Sequence, residues 1–218
     1  MSDASFLLAN LSGVNLSNVI LVGTNFLQTD LSGQDFTVIS ETIHGSVFME
    51  ANLSDSNFEG VNLSPPESFT STFENKASFY EYVNDLTPQQ HKELVLELFD
   101  IGLDNIHILS TEVTGNDLVV SYVFYNNFAY ANLENTNFKN AGLWNADFYS
   151  ANLTNANLSG ADLRTSFLVN ADLSNANLQG ADISGVDLSG VDLSGANLDG
   201  AIYDQYTILK CIGHSICV

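Results

Sequence analysis

Apolar side chains recur every fifth residue along most of this chain. From Asn126 to Tyr203, sixteen consecutive units have an apolar or aromatic centre, beginning with Phe128, Leu133 and Phe138 and ending with Leu198 and Tyr203. Two residues before the centre stands Ala in eleven of these units, and immediately before it stands Asn or Asp in thirteen. A helix repeats every 3.6 residues and a strand every 2, so either would scatter these positions around the element. The pattern predicts a solenoid, in which each unit is too small to bury its own centre and depends on stacked neighbours. An earlier block shows the same period at Phe6, Leu11, Leu16, Leu21, Phe26, Leu31 and Phe36. Its next centre, Ile43, comes seven residues on and is followed by Phe48, Leu53, Phe58 and Leu63, which predicts a corner lengthened by two residues over 37–42.

Units such as Ala131-Asn132-Leu133, Ala151-Asn152-Leu153 and Ala161-Asp162-Leu163 resemble those of the pentapeptide-repeat family, which read A(D/N)LXX. The resemblance implies an all-β solenoid, a right-handed quadrilateral β-helix with four units to a coil of twenty residues. Known members have widely different roles, so it implies a fold more than a function. Numbering the centres around four faces puts Phe6, Phe26, Phe48, Phe128 and Phe148 on the first and Leu11, Leu31, Leu53 and Leu133 on the second. The third carries Leu16, Phe36, Phe58 and Phe138, and the fourth Leu21, Ile43, Leu63 and Leu143. The expected organisation is a first repeat block over 4–63, a segment over 64–122, a second block over 123–208 and a cap over 209–218. About seven coils at about 4.8 Å each would rise about 34 Å. Ile208, Leu209, Ile212 and Ile216 are the residues expected to cover the last coil, whereas the first has no such segment and could associate end to end or as a dimer.

The segment between the blocks reads as a small α+β insertion. Pro65-Pro66 ends the first block, and Phe73 to Leu86 suggests a short helix. Thr87-Pro88-Gln89-Gln90 has the chemistry of a helix start, with a capping hydroxyl and a proline in the first turn. The helix expected to follow, to about Asp100, sets Leu94, Val95, Leu98 and Ile101 on one side, with Gly102 as its stop. Ile106–Val113 and Leu118–Phe124 read as a hairpin. With ten acids against two bases in a short segment, it makes a poor candidate for an independent enzyme domain.

The whole chain, 218 residues, carries 5 Lys and Arg against 26 Asp and Glu, a formal net charge of −21. That excludes binding to nucleic acid or anionic membrane by neutralising phosphates, and leaves a basic protein as a partner. No twenty-residue apolar span predicts a membrane crossing. The start, Met1-Ser2-Asp3-Ala4, lacks the basic and apolar regions of a signal peptide, which points to the cytoplasm, or to a periplasmic or lumenal site if a leader has been removed.

Neither an activated nucleophile nor a phosphate-cradling loop is visible, so no catalytic residue and no cofactor are expected. Cys211, His214 and Cys217 would supply three zinc ligands without a fourth, so a plain terminal cap is preferred and a Cys211–Cys217 disulfide is the next reading. The two repeat blocks carry net charges of −7 and −6, about 0.4 charge per Å over about 34 Å against about 0.6 for duplex DNA, and Asp162, Asp172, Asp182, Asp187 and Asp192 form the candidate acidic surface. Some family members resemble duplex DNA and act on DNA gyrase, which makes an acidic DNA mimic the alternative function. These five acids nevertheless fall on three faces, and Asn is used as often as Asp, so the repeat selects an acceptor oxygen more than a charge. On the first face the residues after the centres form an apolar stripe, Leu7, Leu27, Met49, Tyr149 and Val169, with Phe167 beside it. Trp144 lies at the adjoining corner, with Arg164 placed for a cation–π contact. The segment 64–122 is expected to pack over this stripe; otherwise the stripe is a protein-contact site. A non-catalytic protein-binding scaffold is the expected function.

Overall fold

The computed structural model describes residues 5–17, 19–21, 23–39, 43, 45–64, 69–73, 106–114 and 117–218, with backbone alone along the strands. The chain divides into two compact units, one of Met1–Ser64 with Asn126–Val218 and the other of Pro65–Tyr125.

In the first unit, parallel bridges at the residue before each centre stack one coil on the next. Partners lie 20 residues apart at Ser5↔Asn25 and Asn127↔Asp147, 22 apart at Asn25↔Val47, and 80 apart at Val47↔Asn127. The unit from Phe128 to Asn132 shows why five residues suffice. The Phe128 and Tyr130 N–H groups donate to Asp147 and Tyr149 in the next coil, at 2.6 and 2.9 Å. The Asn132 N–H donates back to Ala51 at 2.9 Å, and the Ala131 N–H closes the corner on the Phe128 carbonyl at 3.0 Å. Only the Ala129 amide lacks a backbone acceptor, and Asn127 Oδ1 takes it at 2.9 Å. All five donors are thereby satisfied, which a buried backbone requires. The residue two after most described centres is left-handed, as at Asn135 and Gly160, to turn the chain through the corner.

Centres and the small residues two before them fill the interior. Phe6, Phe26, Phe48, Phe128 and Phe148 form one stack with ring centroids 5.0–5.5 Å apart. Phe36, Phe58 and Phe138 form a second stack that meets the first edge to face at 6.0–6.4 Å. Burying such centres contributes about 1.5 to 3 kcal/mol each, against a large loss of backbone freedom. Where Ser or Thr replaces the inward Ala, its hydroxyl reaches the centre carbonyl of the preceding coil, as in Thr29 to Phe6 at 2.7 Å and Thr136 to Leu53 at 2.9 Å. Ser166, in the same inward role, has a buried hydroxyl without a partner, and nothing in the structure explains it.

Two places depart from the pattern. After Phe36 a short 3-10 turn, Thr37–Ile39, buries Ile39, and Ile43 is again fully buried. Residues 40–42 of the expected lengthened corner lie outside the described residues. At the rejoining of the two sequence blocks stands Asn126, buried, in a position where the repeat favours Ala. Its side chain accepts from the Ser46 N–H at 2.9 Å and donates to the Leu63 carbonyl at 2.7 Å.

At the C-terminal end Cys211 is buried and Leu209 and Ile216 pack on the core. Ile208 and Ile212 do not cover the last coil as expected. They extend the bridge columns, pairing with Asp187 and Asp192, and are exposed, because the residue before a centre faces outward.

The second unit contains an antiparallel sheet of β1 (Phe69–Phe73), β2 (Ile106–Thr114) and β3 (Asp117–Phe124) in the order β1-β3-β2. Phe73 ends β1 in place of starting a helix; Phe69-Thr-Ser-Thr-Phe73 is rich in strand formers and pairs in register from Phe69↔Tyr122 to Phe73↔Leu118. The remainder of that expected helix, the helix from Thr87 with its Gly102 stop, and turn residues 115–116 lie outside the described residues.

Asn126→Ala restores the favoured repeat residue yet leaves the Ser46 amide and Leu63 carbonyl buried without partners. At about 1 to 3 kcal/mol per orphaned group, the variant should lose about 2 to 6 kcal/mol in denaturant unfolding. Unchanged stability would show that this side chain does not join the blocks.

Candidate functional site

The five acids sit where the bridge geometry puts them. Asp162 and Asp182 pair on the fourth face, Asp172 and Asp192 on the second, and Asp187 follows Phe167 on the first. Each spends Oδ1 on the amide two residues on, with 2.8 Å from Ser189 to Asp187 and 2.8 Å from Ser194 to Asp192. The Ser194 hydroxyl and amide hold the Asp192 carboxyl below its ordinary range. Asp162 is lowered by the Arg164 guanidinium, which forks onto its two oxygens at 2.7 and 2.6 Å. Arg164 also reaches Asp182 at 3.9 Å. Its planar fork matches a carboxylate, and this is the pairing it makes in place of the expected contact with half-buried Trp144. Asn at the same position does more than Asp, because its amide also donates along the column: Asn132 to Asn52 at 3.2 Å and Asn152 to Asn132 at 3.1 Å. Asp172 has no such donor, so that ladder stops below it.

The first face is different. Leu7 and Tyr149 are 52% and 38% exposed, Leu27, Met49 and Val169 are half-buried, and Phe167 is 42% exposed. The expected packing of the segment over this stripe rests on residues 74–105, which lie outside the described residues. What the stripe omits is the next residue along. Leu8, Gln28, Glu50, Tyr130 and Ser150 occupy successive left-handed corners of this face, with φ between 53° and 59°. At the described left-handed corners of the other faces the residue is Gly, Asn or Asp, except Thr165. Left-handed backbone in an ordinary residue costs about 1 to 2 kcal/mol. Leu8 is nevertheless 70% exposed and Tyr130 is 55% exposed, so little of either side chain is buried to offset that cost. Tyr130 and Tyr149 meet edge to face with centroids 5.5 Å apart. Comparing corner residues face by face in the sequence would have isolated this column.

Cys211 and Cys217 form a disulfide, with Cα atoms 5.0 Å apart, and His214 Nδ1 accepts the Ile216 amide at 3.3 Å. Among the described residues no group of three or more His, Cys, Asp or Glu could hold a metal ion. No helix among them is long and apolar enough to cross a membrane.

A family model described as pentapeptide repeats matches in eight copies over residues 9–37, 44–64, 127–164 and 168–202, more than half of the chain. No curated protein matches. Among solved structures the chain is similar to HetL, a pentapeptide repeat protein involved in heterocyst differentiation regulation in the cyanobacterium Nostoc. Identity is 21%, covering 98% of this chain and 75% of HetL, with a TM-score of 0.40. A second pentapeptide repeat protein from Nostoc is 37% identical over 41% of this chain and 78% of its own, with a TM-score of 0.36. A trypsin-treated form of QnrB1, a plasmid-mediated fluoroquinolone resistance protein, is 13% identical over 94% of this chain and 92% of its own, with a TM-score of 0.25.

Asp172→Asn keeps the acceptor and adds a donor toward Asn152 Oδ1, so unfolding at pH 7 should show a gain of about 0.5 kcal/mol; Asp172→Ala should show a loss. The lowered Asp162 and Asp192 carboxyls contribute stability that is present above the ordinary carboxylate pKa and is lost as pH falls through their folded values. A double Asn replacement at 162 and 192 should therefore narrow the difference in melting temperature between pH 5 and pH 3. Cys217→Ser should remove about 2 kcal/mol, seen as faster hydrogen exchange in residues 183–203 before any change near Phe48.

Proposed function

The chain belongs to the pentapeptide-repeat family, whose fold is a right-handed quadrilateral β-helix, and on that premise we propose that it is a non-catalytic protein-binding scaffold. Its coils number about seven, and the segment 64–122 is an excursion between whole coils. The observation that carries the reading is the apolar first-face stripe, Leu7, Leu27, Met49, Tyr149 and Val169 with Phe167 alongside, part of which is exposed. Exposed apolar columns of this length mark contact surfaces.

The alternative, an acidic DNA mimic acting on a topoisomerase, has less behind it. The acids divide among three faces, and their oxygens already cap backbone amides, so neither position nor chemistry reproduces two phosphate rows. The disulfide in the cap favours an oxidising compartment over the cytoplasm.

Affinity capture from native lysate should recover a protein with the wild-type chain and lose it with Tyr149→Ala or Met49→Ala, while melting temperatures stay within about 2 °C. Identical partners from wild type and variants would refute the stripe as the contact site, and a large drop in melting temperature would assign these side chains to folding.

A further inference from the structure

We propose, building on the scaffold reading, that the left-handed corner of the first face seats a cationic amphipathic helix, one helical turn against each coil. Leu8 and Tyr130 have φ of 57° and 59°, conformations that suit Gly or Asn, and both project into solvent. Leu8 is 70% exposed, and Tyr130 stays 55% exposed although its ring touches Tyr149, so the outer surfaces of both are assigned to contact with another molecule. The same corner adds Gln28 and Glu50, whose side chains are hydrogen-bonded to each other at 2.7 Å.

Charge and length specify the occupant. Glu50 stands in the corner itself, Asp147 and Asp187 lie in the bridge column of the same face, and Asp30 lies across the next corner. Arg164, on the adjoining fourth face, is engaged by Asp162, and Lys139 lies on the opposite face paired with Glu59 at 2.9 Å. The apolar stripe Leu7, Leu27, Met49, Tyr149 and Val169 beside this corner, edged by these carboxylates, matches a helix with one apolar face and basic flanks. A second copy of this chain is the wrong partner, because its acidic edges would meet these. The coil repeat of about 4.8 Å lies close to the helical pitch of 5.4 Å. The five steps from the Leu7 coil to the Val169 coil span about 24 Å, or about 16 residues of helix. Tyr130 and Tyr149, with their rings already in contact, provide the large anchors for its apolar face.

The probe is a fluorescein-labelled Leu/Lys peptide of about 18 residues, with Leu at helical i, i+3, i+4, i+7 spacing, titrated with the full chain at physiological salt. Its controls are a scramble of the same composition and a Leu/Glu version. The proposal expects the helical peptide to bind at least about tenfold more tightly than either control, and more weakly as salt rises. Tyr130→Asn and Leu8→Asn should each weaken binding by about tenfold while the melting temperature holds or rises, since Asn is at ease in a left-handed corner. Equal binding of the scramble would reduce the effect to attraction by a polyanion and overturn the proposal. So would corner variants that bind as well as wild type. If no peptide binds but capture still maps a partner to Tyr149, the scaffold reading stands and the cationic helix is wrong.

Discussion

Every amide in a coil must find an acceptor, and with five residues to a side the neighbouring coils take three, the unit's own corner carbonyl takes a fourth and one is left over. In the unit centred on Phe128, four amides go to backbone carbonyls and the fifth goes to Asn127. That single leftover donor explains the Asn or Asp before the centre better than charge does, because both residues offer the same oxygen. It also explains why Asp can fill the site without forming an ordered acidic array. The period of five, the acceptor before the centre and the left-handed residue after it are three aspects of one accounting of hydrogen bonds.

The exceptions gain meaning against that accounting. Asn126 takes an inward position that normally holds Ala, and uses both ends of its amide to tie Ser46 to Leu63 where the chain rejoins the stack. The phenylalanine column continues through that point, with Phe48 and Phe128 centroids 5.0 Å apart. At the far end a disulfide holds Cys211 in the core and draws Val218 back to the Leu209 carbonyl at 2.8 Å. These departures close gaps in the solenoid. The first-face corner closes none, since Leu8 and Tyr130 bear strain without burial.

The family and the roles of most side chains were legible in the sequence, because a periodic fold writes each physical requirement many times. The stripe from Leu7 to Val169 was also visible as a column of side chains. What escaped was conformational: nothing in the letters alone says that Leu8 or Tyr130 stands in the left-handed region until the corner is built. The β1 strand was missed, and its last residue Phe73 given to a helix, because Phe69–Phe73 is short and its pairing with Leu118–Tyr122 spans distant sequence. Ile208 and Ile212 were misplaced because apolar character suggests burial, while register puts them in an outward column. Arg164 was assigned to an aromatic ring although Asp162, two residues earlier, offered a bidentate partner.

One uninterrupted ladder of hydrogen bonds runs through the point where the chain leaves and returns. Native-state hydrogen exchange measures it directly at the bonds from Phe48 to Asn127, from Leu53 to Asn132 and from Phe58 to Asn137, all 2.6–2.7 Å long. A single stack predicts that the Phe48, Leu53 and Phe58 amides exchange with the same opening free energy as those of Phe128, Leu133 and Phe138, at the global value. Separate opening free energies for the two groups would mean that the blocks fold as independent halves, and would contradict the account.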